Sequence, residues 1–562
     1  MPHTGRMAFL FPLFARKAGL QQPRVAKVSH HKVHIPLADG VRTVAEHWTP
    51  DGVADPPLVL VRTPYGRLMI NLLIARHLAH QGFQVLVQSS RGTDGSEGSF
   101  DDPFTCEIED GAATLAWLRD QSWYPGKVFT FGDSYLGYAQ LALVEAAGDD
   151  LAGCVLRVAP ASLYDMFWPG GSLAFKSLFP WALLAAKDPR LGWRSAIADK
   201  RNAPKVLKVG RSAPLIEAYR TVSEPIRFWE DWVSHPDEDD PYWKRGDLRP
   251  VLDTISCPVL VQGGWYDLFL EDSLLEYTRP AERGVPAELL LGPWSHAHLL
   301  TKGLGVTVSD ATAWLLEKAG LESRPVGTLP VRLIEIGSGD LTSYPAFPEP
   351  AGELSLHLAG DGRLTGSADS SDGTRTYRYD PTDPTPSAGG ATNETIAGPA
   401  DNTALEQRAD VVTFTSDPLE HDLHLLGAPV VDLVFGSDRS DTNAFIRVCD
   451  VDGDGTSTNV TDRLVRLHAG DRDSTGCWRL SVVLPPTCAQ IPAGHRVRLQ
   501  VSSGAYPRFL RHPGTAENPV TAAVFHPAEQ VVHHGPARPG SVRLPLASIA
   551  TPATTGEARA RA

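Results

Sequence analysis

Cysteine and methionine are scarce in this chain, six and four among 562 residues. Cys106, Cys154, Cys257, Cys449, Cys477 and Cys488 stand singly, and without a CxxC pair a structural zinc site is not indicated. Large chains of reducing compartments look like this, with cysteine acting as a small buried apolar residue. An excess of positive charge is also missing. The formal net charge is −14, so no nucleic-acid partner is expected. No apolar run nears the roughly 18 residues that cross a bilayer, which excludes a membrane-spanning helix. What remains, 42% hydrophobic and 21% charged residues, is ordinary globular composition, and the length suggests several domains. The apolar stretch Met7 to Ala15 is followed by Arg16 and Lys17 where a cleavage site would stand. The expectation is an ordered N-terminal extension of a cytoplasmic protein, with export as the alternative.

Val33 to Val41 reads as strand, turn and strand, with Asp39-Gly40 as the hairpin signal. Short apolar runs follow at 58–61, 83–87, 127–131, 154–158, 259–261 and 289–291, with helix-like stretches such as 70–80 and 109–119 between them. Continuous apolar strands alternating with helices indicate a parallel sheet covered on both faces. The alternation breaks between about Ser162 and Pro250, where large aromatics including Trp168, Trp181, Trp229 and Trp232 crowd a helical pattern. An insertion there would cap the sheet. Most of its aromatics build the cap's own core, and a few should line a pocket. The stretch 360–399 reads as loop-dominated, and short β-branched runs from 430 to 501 suggest a β-sandwich.

Phe129-Thr130-Phe131-Gly132-Asp133-Ser134-Tyr135-Leu136-Gly137 is an apolar strand, a tight turn and a helix start. That is the setting of a nucleophile elbow, although the spacing departs from G-x-S-x-G. The Tyr135 N–H, at the helix start, could donate to an oxyanion. Downstream, Asp267 and His296 each follow a predicted strand, in the chain order serine, acid, histidine. His298 competes with His296 for the role of base. Tyr65, in Arg62-Thr63-Pro64-Tyr65-Gly66 after the third strand, could present its hydroxyl to the same oxyanion. Asp450-Val451-Asp452-Gly453-Asp454-Gly455 opens like a calcium loop but has Thr461 where the bidentate glutamate belongs, so it reads as a hairpin turn. Asn393-Glu394-Thr395 and Asn459-Val460-Thr461 match glycosylation sequons, which mean little in a cytoplasmic chain.

These residues, with Arg91-Gly92, Gly95 to Gly98, Gly264-Trp265-Tyr266-Asp267, Gly292-Pro293-Trp294-Ser295-His296, Tyr379-Asp380-Pro381 and Val501 to Phe509, resemble the cocaine-esterase-like branch of the X-prolyl dipeptidyl peptidase superfamily. G-x-S-Y-x-G is that family's own elbow spacing. The resemblance implies an α/β-hydrolase sheet with a helical cap insertion and a C-terminal β jelly-roll. The division would be residues 1–161 plus 251–349, 162–250, and 350–562. It implies a serine hydrolase of esters, or of amides, with Ser134 as nucleophile, His296 as base and Asp267 as orienting acid. Tyr65 and Tyr135 would form the oxyanion hole, and Trp168 and Phe269 would bind substrate. No metal and no cofactor are implied. Whether the chain forms a homodimer is left open.

Alternatives using the same acyl-enzyme are an X-Pro dipeptidyl peptidase, an α-amino-acid ester hydrolase or an acyltransferase. Amine-requiring relatives place carboxylates near the start of the cap, where this chain has Gly170-Gly171. Asp165, Glu230 and Asp231 are the remaining candidates for an amine partner, against the simpler reading of solvated cap charges. Ile336 to Leu341 lacks the family's usual tryptophan, which puts a local domain contact in doubt.

Overall fold

The computed structural model describes residues 15–67, 70–187, 195–393 and 397–548. Of the N-terminal extension only Ala15 onward falls within it, and the tail from Thr551 falls outside, as does most of the Asn393 sequon.

Ten strands build the first sheet. They are β1 (Val28–Pro36), β2 (Arg42–Pro50), β3 (Leu58–Thr63), β4 (Gln84–Ser89), β5 (Val128–Asp133), β6 (Leu151–Arg157), β7 (Val259–Tyr266), β8 (Ala287–Ser295), β9 (Val331–Ile334) and β10 (Leu341–Tyr344). Their spatial order is β1-β2-β4-β3-β5-β6-β7-β8-β9-β10. β3 to β9 run parallel, and the antiparallel hairpin β1/β2 extends one edge through β4. The residues of β3, β4, β5 and β7 are all buried, as continuous apolar runs require when helices cover both faces. The helices that matter below are α1 (Ile70–His80), α2 (Cys106–Arg119), α3 (Tyr135–Leu141), α4 (Phe175–Lys187), α5 (Arg227–Ser234), α6 (Leu270–Glu282) and α7 (Leu304–Lys318).

Between β6 and β7 the chain leaves the sheet to form the cap. Trp168, Trp229 and Trp232 are fully buried in it, and the Trp168 indole N–H donates to Trp232 O at 3.1 Å. The remaining strands, Gly352–Leu358 to Ser541–Leu546, form a second, predominantly antiparallel sheet system with its own apolar core. The stretch 360–399 is less loop-like than expected. It contains the strands Arg363–Thr365 and Gly373–Tyr379, whose alternating exposed and buried positions lie in a segment of low apolar content. The turn at Asp452 to Gly455 joins the antiparallel pair Thr442–Val451 and Ser457–Leu467.

The C-terminal β unit grips both other parts. Leu510 N donates to Leu173 O at 3.0 Å, and Asn518 Nδ2 donates to Val233 O at 2.9 Å. Tyr266 Oη donates to Asn459 O at 3.2 Å. The contact at Ile336 is made without tryptophan. Ile336 N donates to Cys488 O at 2.8 Å, and Gln490 N donates back to Ile336 O at 2.9 Å.

Candidate active site

Parallel strands deliver their carboxyl ends to one edge of the sheet, and the singled-out residues gather there. Tyr65 follows β3, Ser134 follows β5, Asp267 follows β7 and His296 follows β8. Ser134 has φ +56° and ψ −120°, a conformation that L residues rarely adopt and that costs on the order of 1–3 kcal/mol. The flanking glycines make this turn feasible. A Cβ on Gly132 would stand 2.6 Å from Leu136 O, and one on Gly137 would stand 2.3 Å from Ala159 Cβ. The turn is tied to the next strand by Ser134 N, which donates to Arg157 O at 2.9 Å.

β7 and β8 approach each other closely for a similar reason. A Cβ on Gly264 would lie 2.1 Å from Trp294 O. The close approach brings Asp267 and His296 together, with Nδ1 of the imidazole 2.9 Å from Asp267 Oδ2. The Asp267 side chain is fully enclosed, while the imidazole keeps 12% of its surface. Asp267 Oδ1 accepts from Phe269 N at 2.7 Å, so both carboxylate oxygens are engaged. The Phe269 ring packs edge-on against His296 at 5.4 Å. Serine and histidine share the edge, but no hydrogen bond joins Ser134 Oγ to a described residue. In hydrolases that contact often tightens only with substrate in place.

The two tyrosines are fixed differently. Tyr135 Oη donates to Glu107 Oε1 at 2.9 Å and accepts from Phe104 N at 3.1 Å. Glu107 is in turn paired with the buried Arg62 at 2.6 Å. The side chain is therefore locked away from the cleft, and its backbone N–H opens α3, where the first N–H groups lack intrahelical acceptors. Tyr65 Oη accepts from the Trp181 indole N–H at 3.0 Å. Burial pushes the Tyr65 phenol up to about 12, with the indole N–H pulling the other way.

Trp168, expected on the pocket wall, lies in the interior of the cap with no exposed surface. The half-buried Trp181 on α4 reaches the Tyr65 hydroxyl instead, a residue that aromatic density alone could not distinguish from its neighbours. The three candidate amine partners are all engaged by arginines: Asp165 by Arg249 at 3.1 Å, Glu230 by Arg220 at 2.8 Å and Asp231 by Arg227 at 4.0 Å. A cavity of about 100 Å³ lies where cap, β7–α6 loop and C-terminal unit meet, lined by Met166, Gly170, Asp462 and Phe509 among others. It touches Asp267 but neither Ser134 nor His296.

A parallel sheet with a strained strand–serine–helix turn and a late aspartate–histidine pair defines an α/β hydrolase. Residues 39–298 match the X-Pro dipeptidyl-peptidase (S15 family) model, and 327–543 match the model for that enzyme's C-terminal non-catalytic domain. The chain is 26% identical to the cocaine esterase of Rhodococcus sp. (strain MB1 Bresler), over 92% of this chain and 98% of the relative. A putative serine esterase of Mycobacterium bovis is 24% identical, covering 88% of this chain and 93% of its own length. Among solved structures, an α-amino acid ester hydrolase superposes with a TM-score of 0.78 at 21% identity, over 94% of this chain and 98% of the other. The chain belongs to the cocaine-esterase-like (CocE/NonD) serine hydrolases of the X-prolyl dipeptidyl peptidase superfamily. It is a carboxylic ester hydrolase.

Proposed function

We propose that this esterase works through Ser134, His296 and Asp267. Ser134 Oγ attacks the ester carbonyl carbon while His296 Nε2 takes the hydroxyl proton. Asp267 accepts from Nδ1, which selects the tautomer with a free Nε2 and stabilises the imidazolium as it forms. The tetrahedral oxyanion is held by the Tyr135 N–H and the Tyr65 O–H. His296 then protonates the leaving alcohol, and water, activated by the same imidazole, attacks the acyl-serine and releases the acid. The observation that carries this reading is the His296–Asp267 hydrogen bond of 2.9 Å on the sheet edge that also bears the strained Ser134 turn.

In this reading the enzyme is a cytoplasmic protein acting without cofactor on a small-molecule ester. Its catalytic unit is residues 1–161 plus 251–349, with 162–250 as cap and 350–562 as a jelly-roll domain. Phe269, against the imidazole, contributes the wall nearest the leaving group. The S15 description raises dipeptidyl peptidase activity as a second reading. That activity needs a carboxylate to hold a free amine. Gly170 sits at φ +62°, and a Cβ there would lie 1.9 Å from Leu464 O, so no acid fits. Together with the arginine-paired Asp165, Glu230 and Asp231, this favours esters. An aryl ester should be turned over by the parent chain and not by Ser134→Ala, while an X-Pro amide with a free N-terminus should not be cleaved. Amide turnover exceeding that of the ester would make the protein a peptidase, and ester turnover by Ser134→Ala would remove the nucleophile.

A further inference from the structure

The Tyr65 hydroxyl is held by the cap. The Trp181 indole N–H, on α4, donates to Tyr65 Oη at 3.0 Å. Indole nitrogen is a donor only, so the phenol cannot return its proton to Trp181. Among the described residues nothing else accepts that proton. The indole therefore occupies one lone-pair direction of the phenol oxygen and leaves the O–H free to turn toward the sheet edge. A hydroxyl that accepts one hydrogen bond is also a stronger donor in the next, by an effect of about 10–30% per bond. The indole is itself wedged in place, with ring centroids 5.6 Å from Phe104, 5.9 Å from Trp232, 6.3 Å from Phe228 and 6.4 Å from Tyr135. Phe228 and Trp232 belong to α5 of the cap, whereas Phe104 and Tyr135 belong to the sheet side.

We propose that Trp181 is a positioning residue for the oxyanion-binding Tyr65, so that the cap supplies part of the catalytic geometry as well as a cover. The inference rests on the esterase mechanism above. It makes the seating of α4 a condition for catalysis. A cap shifted enough to break the indole–phenol bond would slow acylation even with serine, histidine and aspartate untouched.

The test is single-turnover acylation by an aryl ester with enzyme in excess, so that slow variants stay readable, together with steady-state kcat and KM. Trp181→Phe keeps an aromatic ring and deletes the N–H. On the parent background it should lower the acylation rate and kcat about 3- to 10-fold, with KM within about twofold, the size expected for one net hydrogen bond. On a Tyr65→Phe background, where the hydroxyl is already gone, the same substitution should change the rate by less than about 1.5-fold, because only the Tyr65-mediated part of the bond's worth is at stake. Equal losses on both backgrounds, no loss on the parent, or a loss confined to KM would overturn the proposal. Replacing Trp181 with benzothienylalanine, nearly isosteric but lacking the N–H, repeats the comparison should Trp181→Phe disturb the cap's packing. A fluorophosphonate that labels Ser134 in all of these variants separates failure of this inference from failure of the mechanism. An unlabelled, inactive parent chain would overturn both.

Discussion

In the proposed mechanism Ser134 and Tyr65 show how much of the chemistry is set by single side chains. The serine is presented in a strained backbone conformation, and the tyrosine is oriented by a neighbour that can only donate. Tyr65→Phe should reduce kcat by roughly 100- to 1000-fold, the cost of one oxyanion donor. The sign of its pH dependence follows from burial. A phenol raised from 10 to about 12 stays protonated, and so remains a donor, through the alkaline range in which an exposed tyrosine would ionise. The kcat profile of the parent should therefore show no falling limb between pH 8 and 10. A limb centred near 10 that vanishes in Tyr65→Phe would contradict the placement. The placement of Ser134, Asp267 and His296 at strand ends on one edge of the sheet was legible in the sequence, because strand-end position and chain order are local or topological facts. Which tryptophan of the cap faces the cleft was not. Trp168 and Trp181 both stand in an aromatic-rich stretch, and only the packing of the cap separates an enclosed ring from one that reaches Tyr65.

At the scale of elements, glycines decide how closely strands and helices approach. Gly132 and Gly137 bring α3 onto β5 and β6, and Gly264 lets β8 close on β7. Gly170 seats the cap on the strand Ser457–Leu467, where a side chain would meet Leu464 O. Gly170→Ala should lower the unfolding free energy by about 1–3 kcal/mol from overpacking, besides the strain at φ +62°. It should also raise hydrogen exchange in the cap. Gly284→Ala, at φ +80° with nothing within 4 Å of the added carbon, isolates the strain and should cost about 1 kcal/mol. Equal effects of the two would contradict a seating role. The parallel strands could be read from the sequence because burial on both faces leaves unbroken apolar runs. The strands at 363–365 and 373–379 could not, because half-exposed positions filled with Thr, Arg and Gly resemble a loop. The Asp452 turn could be read because its acidic and glycine residues lacked the twelfth-position ligand that calcium needs.

Over the whole molecule, three parts are held by contacts that cross between them. Tyr266 ties the first sheet to Asn459, and within the C-terminal unit Asp462, on the strand that carries the cap's seat, pairs with Arg508 at 2.5 Å and with Arg447 at 2.8 Å. The interior around the first sheet stores a sensitivity to acid. His47 and His77 are buried, and desolvation lowers both from 6.5 to about 4. Between pH 6.5 and 4 the unfolded chain binds protons that the folded chain refuses. Stability is therefore fully present above about 6.5 and falls as pH drops toward 4, by on the order of 1–3 kcal/mol per histidine. The unfolding midpoint should decline over that window, and His77→Leu should flatten the decline. Identical slopes in the two proteins would contradict the assignment.

The mechanism turns on one oxygen atom. Intact mass and peptide mapping after exposure to a fluorophosphonate should find a single phosphonyl adduct on the peptide containing Ser134 in the parent chain, and none in Ser134→Ala. An adduct on another residue, or undiminished labelling of Ser134→Ala, would contradict the account.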